Sequence, residues 1–159
     1  MESKAEKDDE IDELALAEAA RQKRKAGLTR AANKQKAIDT IAIDEIEAEL
    51  GDASIKAADL PGHKPGLVTK IAVRCPTRAE IKRYRDMTKP DKKGRPADGS
   101  IANEALGAVC RVYPRDDEGK EGESAAFDAV CEAFPGVLGQ CGMLAAALSV
   151  AEEEKAGKD

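Results

Sequence analysis

Hydrophobic positions along this chain fall mostly at helical spacing, broken by one strand-like alternation. From Asp9 the chain runs through Ile11, Leu14, Ala15, Leu16, Ala19 and Ala20 into the bases Arg21–Lys25. These are strong helix formers, but Glu18 interrupts a thin apolar stripe, so the helix buries little unless it docks on a partner. Gly27 is read as its end. A second helix is predicted from Thr29 to Leu50. Ile41, Ile43, Ile46 and Leu50 form its better stripe, Ile38 and Ala42 share a side with Glu45 and Glu49, and Gly51 is its C-cap.

The run Leu60-Pro61-Gly62-His63-Lys64-Pro65-Gly66 cannot continue a helix or a central strand. It is read as the boundary between an N-terminal arm and a compact domain. Leu67–Arg74 then alternates as a strand, with Leu67, Thr69, Ile71, Val73 and Cys75 on the apolar face. Pro76-Thr77-Arg78-Ala79-Glu80 spells a capping box: the Thr77 side chain accepts from the Glu80 amide and Glu80 returns to the Thr77 amide. That helix carries Ile81, Tyr84 and Met87, with Arg78, Lys82 and Arg85 on another face, and stops before Pro90. A polar loop precedes a helix capped at Ser100 and closed by Pro114, whose buried side is Ile101, Ala105, Leu106, Val109, Cys110 and Val112. Ser124 opens a helix bearing Phe127, Val130, Cys131 and Phe134. Pro135-Gly136 breaks it, and a last helix runs from about Val137 to Lys155.

Composition narrows the choice of core. Aromatics are 3% of the chain, with no Trp, so Leu, Ile, Val and Ala must fill the interior, as in a small helical domain. The expected fold is α+β, mostly α: a small strand or hairpin element packed by three to four short helices, preceded by a helical N-terminal arm. The expected division is an arm over residues 1–60, a Pro/Gly linker over 61–66, the compact domain over 67–151 and a frayed tail over 152–159.

The candidate chemistry is sparse. His63 is the one histidine, in a proline-bounded segment where a solvent-exposed role is expected, and no His-based triad or metal cluster can be assembled. Cys75, Cys110, Cys131 and Cys141 show no CxxC spacing and read as small buried hydrophobes in a reducing compartment. Gly136, Gly139 and Gly142 match no phosphate loop and are expected to serve a turn or close helix packing. Asp116, Asp117, Glu118, Glu121 and Glu123 lack EF-hand spacing and read as a solvated acidic loop. No cofactor, metal site or catalytic residue is expected. No apolar run approaches the about 20 residues of a membrane span, and Met1–Asp12 is too acidic for a secretory signal, so a cytoplasmic protein is expected.

Charge is segmented. Residues 1–20 carry a net −6, residues 21–36 +7, residues 37–60 −6, residues 61–98 +7 and residues 99–159 −7. Such blocks attract each other within a chain or across a partner. The densest basic stretch, 74–95, supports an alternative function as a nucleic-acid-binding accessory protein. Its only aromatic is Tyr84, a poor platform for stacking bases, and the flanking segments are acidic.

The order of these signals is informative. A strand leads into Val73-Arg74-Cys75-Pro76-Thr77-Arg78-Ala79-Glu80-Ile81-Lys82-Arg83-Tyr84. A loop follows, then a helix ending in Cys110-Arg111-Val112-Tyr113-Pro114. Ala133-Phe134-Pro135-Gly136-Val137-Leu138 then precedes an Ala-rich closing helix. Over about residues 67–150 this resembles the small tail assembly chaperones of long-tailed phages. The resemblance implies a non-enzymatic protein in the host cytoplasm that binds tape measure or tail tube proteins while the tail is built. Self-association stays open. The alternative from the same setting is a structural virion protein of the tail or connector. Candidate contact residues are Arg78, Lys82 and Arg85 on the basic helix face, and Leu14, Ile38, Ile41 and Ile46 in the arm.

Overall fold

The computed structural model describes residues 4–51, 54–62 and 64–158, with side-chain placement from Ile11 onward. His63 lies outside the described residues. The elements, in chain order, are α1 (Lys4–Leu50), β1 (Ile55–Asp59), β2 (Lys70–Arg74), α2 (Arg78–Thr88), α3 (Gly99–Cys110), β3 (Arg111–Tyr113), α4 (Ala125–Ala133) and α5 (Val137–Ala156). The fold is α+β and mostly α: five helices around a three-stranded antiparallel sheet, with a long helix at the N-terminus.

The two helices expected between Asp9 and Leu50 are one. Gly27 sits inside α1 and does not end it. A C-terminal glycine stops a helix by taking a left-handed conformation, and Gly51 does so, at φ 66°. Gly27 stays helical, at a cost of about 1 kcal/mol relative to Ala that strong helix formers on either side absorb. Thr29, expected to open a new helix, instead donates its hydroxyl to the Lys25 carbonyl one turn back, at 3.0 Å.

The sheet order is β1-β2-β3 with β2 central. β1 pairs antiparallel with β2, from Ile55 opposite Arg74 to Asp59 opposite Lys70. Residues 61–62 and 64–66, expected as part of a linker, therefore belong to a hairpin connection, and the Leu60 amide donating to the Thr69 carbonyl at 2.8 Å extends that hairpin. Pro and Gly punctuate turns as readily as linkers, and the Ala-rich β1 carries too little alternation to announce itself. The helix expected to run to Pro114 stops at Cys110, and Arg111–Tyr113 forms β3 instead, pairing with β2 through an irregular register at Ala72/Val73.

Both faces of β2 are covered, which makes three layers. Ile71 and Val73 point into the main core with Ile81, Leu106, Cys110, Phe127, Val130, Val137, Cys141 and Ala145. Ala72 points the other way, into a second cluster with Tyr113 of β3 and Ile43 and Ile46 of α1. The face expected to be apolar is buried, and so is its opposite. The C-terminal part of α1 is thus a layer of the domain, not part of a separate arm.

Caps fix the helix starts. The Thr77–Glu80 capping box forms as the sequence specifies. Ser124 caps α4 by accepting from the Phe127 amide at 3.2 Å. For α3 the cap is Asp98, which accepts from the Ser100 amide at 2.9 Å, so the helix starts just ahead of the expected Ser100. Gly136 takes the turn between α4 and α5 at φ 95°. Gly142 supplies the close packing: a Cβ there would stand 1.8 Å from the Asn103 carbonyl oxygen of α3, and one at Gly107 would stand 2.2 Å from the Leu138 oxygen. α5 stays helical to Ala156, so the expected frayed tail begins later than residue 152. All four cysteines are free, with Cys110 and Cys141 buried and Cys75 and Cys131 half-buried. Burial pushes the Cys110 thiol up to about 12 and that of Cys141 to about 11, as expected for packed thiols.

Candidate partner-binding surfaces

Two stretches of apolar surface stand open to water. The first is the free length of α1. At 1.5 Å per residue the helix is about 70 Å long, far longer than the domain needs. Residues 11–31 are exposed throughout, Ile11, Leu14, Leu16 and Leu28 among them, with Leu14 65% accessible. Ile38 and Ile41, where the helix meets the domain, also point outward, at 49% and 59%. Of the four arm positions expected as contacts, Leu14, Ile38 and Ile41 are exposed. Ile46 is not: it is 4% accessible and closes the second cluster over Ala72.

A residue that sequence reasoning missed holds this helix on the sheet. Asp39 is fully buried. Its carboxylate accepts from the Thr69 amide and hydroxyl, both at 2.6 Å, from Gln35 Nε2 at 2.8 Å and from the Tyr113 hydroxyl. Burial alone would push this carboxyl up. The hydrogen bonds from Thr69, Tyr113 and Gln35 together outweigh it and hold the group below its ordinary value. Burial and the hydrogen bond to Asp39 raise Tyr113 in turn. The signal in the sequence is a lone Asp inside the Ile38–Ile43 apolar run, with Gln35 one turn before it.

The second open surface is a groove between α2 and α3, with a volume of about 220 Å³, lined by Arg83, Tyr84, Met87, Ala102, Leu106 and Val109 among others. Ile101, Ala105 and Val109 recur every four residues along the exposed side of α3, with Ile101 63% accessible. Tyr84 donates to Asn103 Oδ1 at 2.9 Å and ties the two groove walls together.

The basic residues of 74–95 are dispersed. Arg74 is half-buried and forms two 2.9 Å hydrogen bonds to Glu80, and donates to the Val109 carbonyl at 2.9 Å. The Arg74 guanidinium holds the Glu80 carboxyl at about 2. This pair locks the end of β2 to α2 and α3. Arg85 pairs with Glu153 of α5 at 2.8 Å, an exposed contact worth little. Arg78 and Lys82 are exposed and form no ion pair with a described residue. Of the three residues expected to form a basic contact face, two remain open and one faces an acid of its own chain.

Among the described residues no three His, Cys, Asp or Glu side chains gather as metal ligands. No single helix there is long and apolar enough to cross a membrane. Comparison with family models, curated proteins and solved structures finds no match to this chain.

Proposed function

We propose that this chain is a non-enzymatic assembly adaptor of the tail assembly chaperone type, which engages tape measure or tail tube protein while a phage tail is built. The observation that carries this reading is the α2–α3 groove, with Ala105 and Val109 four residues apart on its α3 wall and Ile101 exposed one turn before them. An apolar trough with anchors every four residues suits an amphipathic helix, the form in which a long tail protein would offer itself. The resemblance over about residues 67–150 is what suggests a tail protein as the partner.

Co-expression with tape measure and tail tube proteins, followed by affinity capture, tests this. The wild type captures one of them. The double variant Ile101→Asp, Ala105→Glu loses that capture while its unfolding midpoint stays at the wild-type value, since both residues are exposed. Capture undiminished in the variant overturns the groove as the site. Failure of the wild type to capture either protein, with the chain at fixed copy number in purified particles, overturns the adaptor reading in favour of a virion component. A salt-sensitive shift of DNA that is lost when Arg78, Lys82 and Arg85 are changed to Glu overturns it in favour of nucleic-acid binding.

A further inference from the structure

We infer that the free length of α1 pairs with the same segment of a second copy of this chain, antiparallel, crossing near Arg21. Three observations converge. Residues 11–31 are exposed throughout among the described residues, yet carry Ile11, Leu14 and Leu28. The stretch exposed throughout runs from Ile11 to Ala31, and Arg21 is its midpoint. The net charge changes sign at that midpoint, from −6 over residues 1–20 to +7 over residues 21–36.

Charge selects the orientation. Two copies aligned in parallel set like block against like block along the whole arm. Two antiparallel copies crossing at Arg21 set the acidic block of each against the basic block of the other, twice by symmetry. In that register Leu14 lies opposite Leu28 of the second copy, Ile11 comes level with Ala31 and Ala32, and Glu18 comes within a turn of Lys25. No basic residue from Arg21 to Lys36 forms an ion pair with a described residue of its own chain, so these charges are available to a partner. The exposed overlap ends where Ile11 of each copy comes level with Ala31 of the other, before the helix meets its own domain at Gln35 and Asp39. The product is a rod with a globular domain near each end and both α2–α3 grooves uncovered.

The pairing stands apart from the adaptor reading, because it is measured on the purified full chain alone. Light scattering after size exclusion is expected to give a dimer that weakens as salt rises. Arg24→Glu with Lys25→Glu is expected to weaken it by roughly tenfold, from ion pairs lost in both symmetric halves and like charges gained. Mixing that variant with Glu13→Lys, Glu18→Lys restores a dimer, now between the two variants. Crosslinking fixes the orientation. Arg21→Cys lies at the crossing and forms a disulfide-linked dimer with itself. Leu28→Cys alone does not, because its two copies stand about 21 Å apart along the rod. Leu28→Cys mixed with Leu14→Cys does, each read against the wild-type chain with its four native cysteines. A monomer at all concentrations overturns the pairing, and self-linking of Leu28→Cys overturns its antiparallel sense. A monomer that still captures a tail protein overturns the pairing and leaves the adaptor reading standing.

Discussion

One helix, α1, contains two regions that behave as different molecules. From about Gln35 onward it is a layer of the domain, with Asp39, Ile43 and Ile46 buried against the sheet. From Ile11 to Ala31 it is exposed throughout and packs on no other element among the described residues. Both regions are rich in helix formers and both carry Ile or Leu, so neither propensity nor the count of apolar residues separates them. The difference is arrangement. Ile43 and Ile46 stand three apart and reach a surface, formed by Ala72 and Tyr113, shaped to receive them. Asp39 then fixes the register with hydrogen bonds that no apolar contact provides. Leu14 and Leu28 are nearly four turns apart with Glu18, Arg21 and Lys25 between them. A stripe that sparse secures no docking on its own domain, and the proposed antiparallel pairing rests on complementary charge as well as on these apolar positions.

The largest way to break this comparison is to remove the anchor. Asp39→Ala deletes the acceptor for Thr69, Tyr113 and Gln35 and leaves buried donors unpaired. The expected loss is about 3–5 kcal/mol, several times a single neutral hydrogen bond. Denaturant unfolding followed by tyrosine fluorescence measures it, because both tyrosines, Tyr84 and Tyr113, lie in the domain. The pH dependence sharpens the assignment. The folded Asp39 carboxyl lies below its ordinary value, so its contribution is complete above about pH 4 and is withdrawn as pH falls through the folded value. The gap between the wild type and Asp39→Asn therefore narrows on going from pH 7 to below about pH 3. A gap independent of pH, or a loss under about 1 kcal/mol, defeats the anchor.

A matched pair of truncations asks the same question without charge. Ile46→Ala empties a site that is 4% accessible, and the expected loss is about 2–4 kcal/mol. Leu14→Ala removes similar apolar bulk at 65% accessibility, and the domain's unfolding in dilute protein is expected to stay within about 0.5 kcal/mol of wild type. Equal losses at the two positions would erase the distinction between the docked and the free region.

Much of the globular part was legible in the sequence, because its signals are local. The Thr77–Glu80 capping box, the Ser124 cap, the Gly136 turn and the apolar face of β2 each depend on residues within a few positions of one another. What escaped depends on residues distant in sequence. The burial of Ile46 required knowing that Ala72 and Tyr113 lie across from it. Asp39 meets Thr69, 30 residues on, and Tyr113, 74 residues on, and nothing in its own helix apart from Gln35 marks it as buried. β1 was lost for a related reason: Ile55–Asp59 is a strand because of the β2 edge more than its own alternation. Of the contact residues expected, Leu14, Ile38 and Ile41 are exposed, and Ile46 is not. The groove beside α3 was missed because Ile101 and Val109 fit the buried side of an amphipathic helix, and no periodicity says which side a neighbouring helix will leave uncovered.

The smallest test addresses why the free region is helical at all. Gly27 lies within it, where a side-chain Cβ would find no neighbouring atom within 4 Å and φ is not left-handed, so Gly27→Ala meets neither a clash nor strain. Alanine there is expected to favour the helix by about 1 kcal/mol through a smaller loss of backbone freedom. The effect is local. Helical circular dichroism rises and amide exchange slows on the flanking turns, while the tyrosine-detected unfolding of the domain does not move. Should the domain's midpoint rise with the arm's helicity, the two regions of α1 would be one cooperative unit, and the division at Gln35 would describe packing without describing stability.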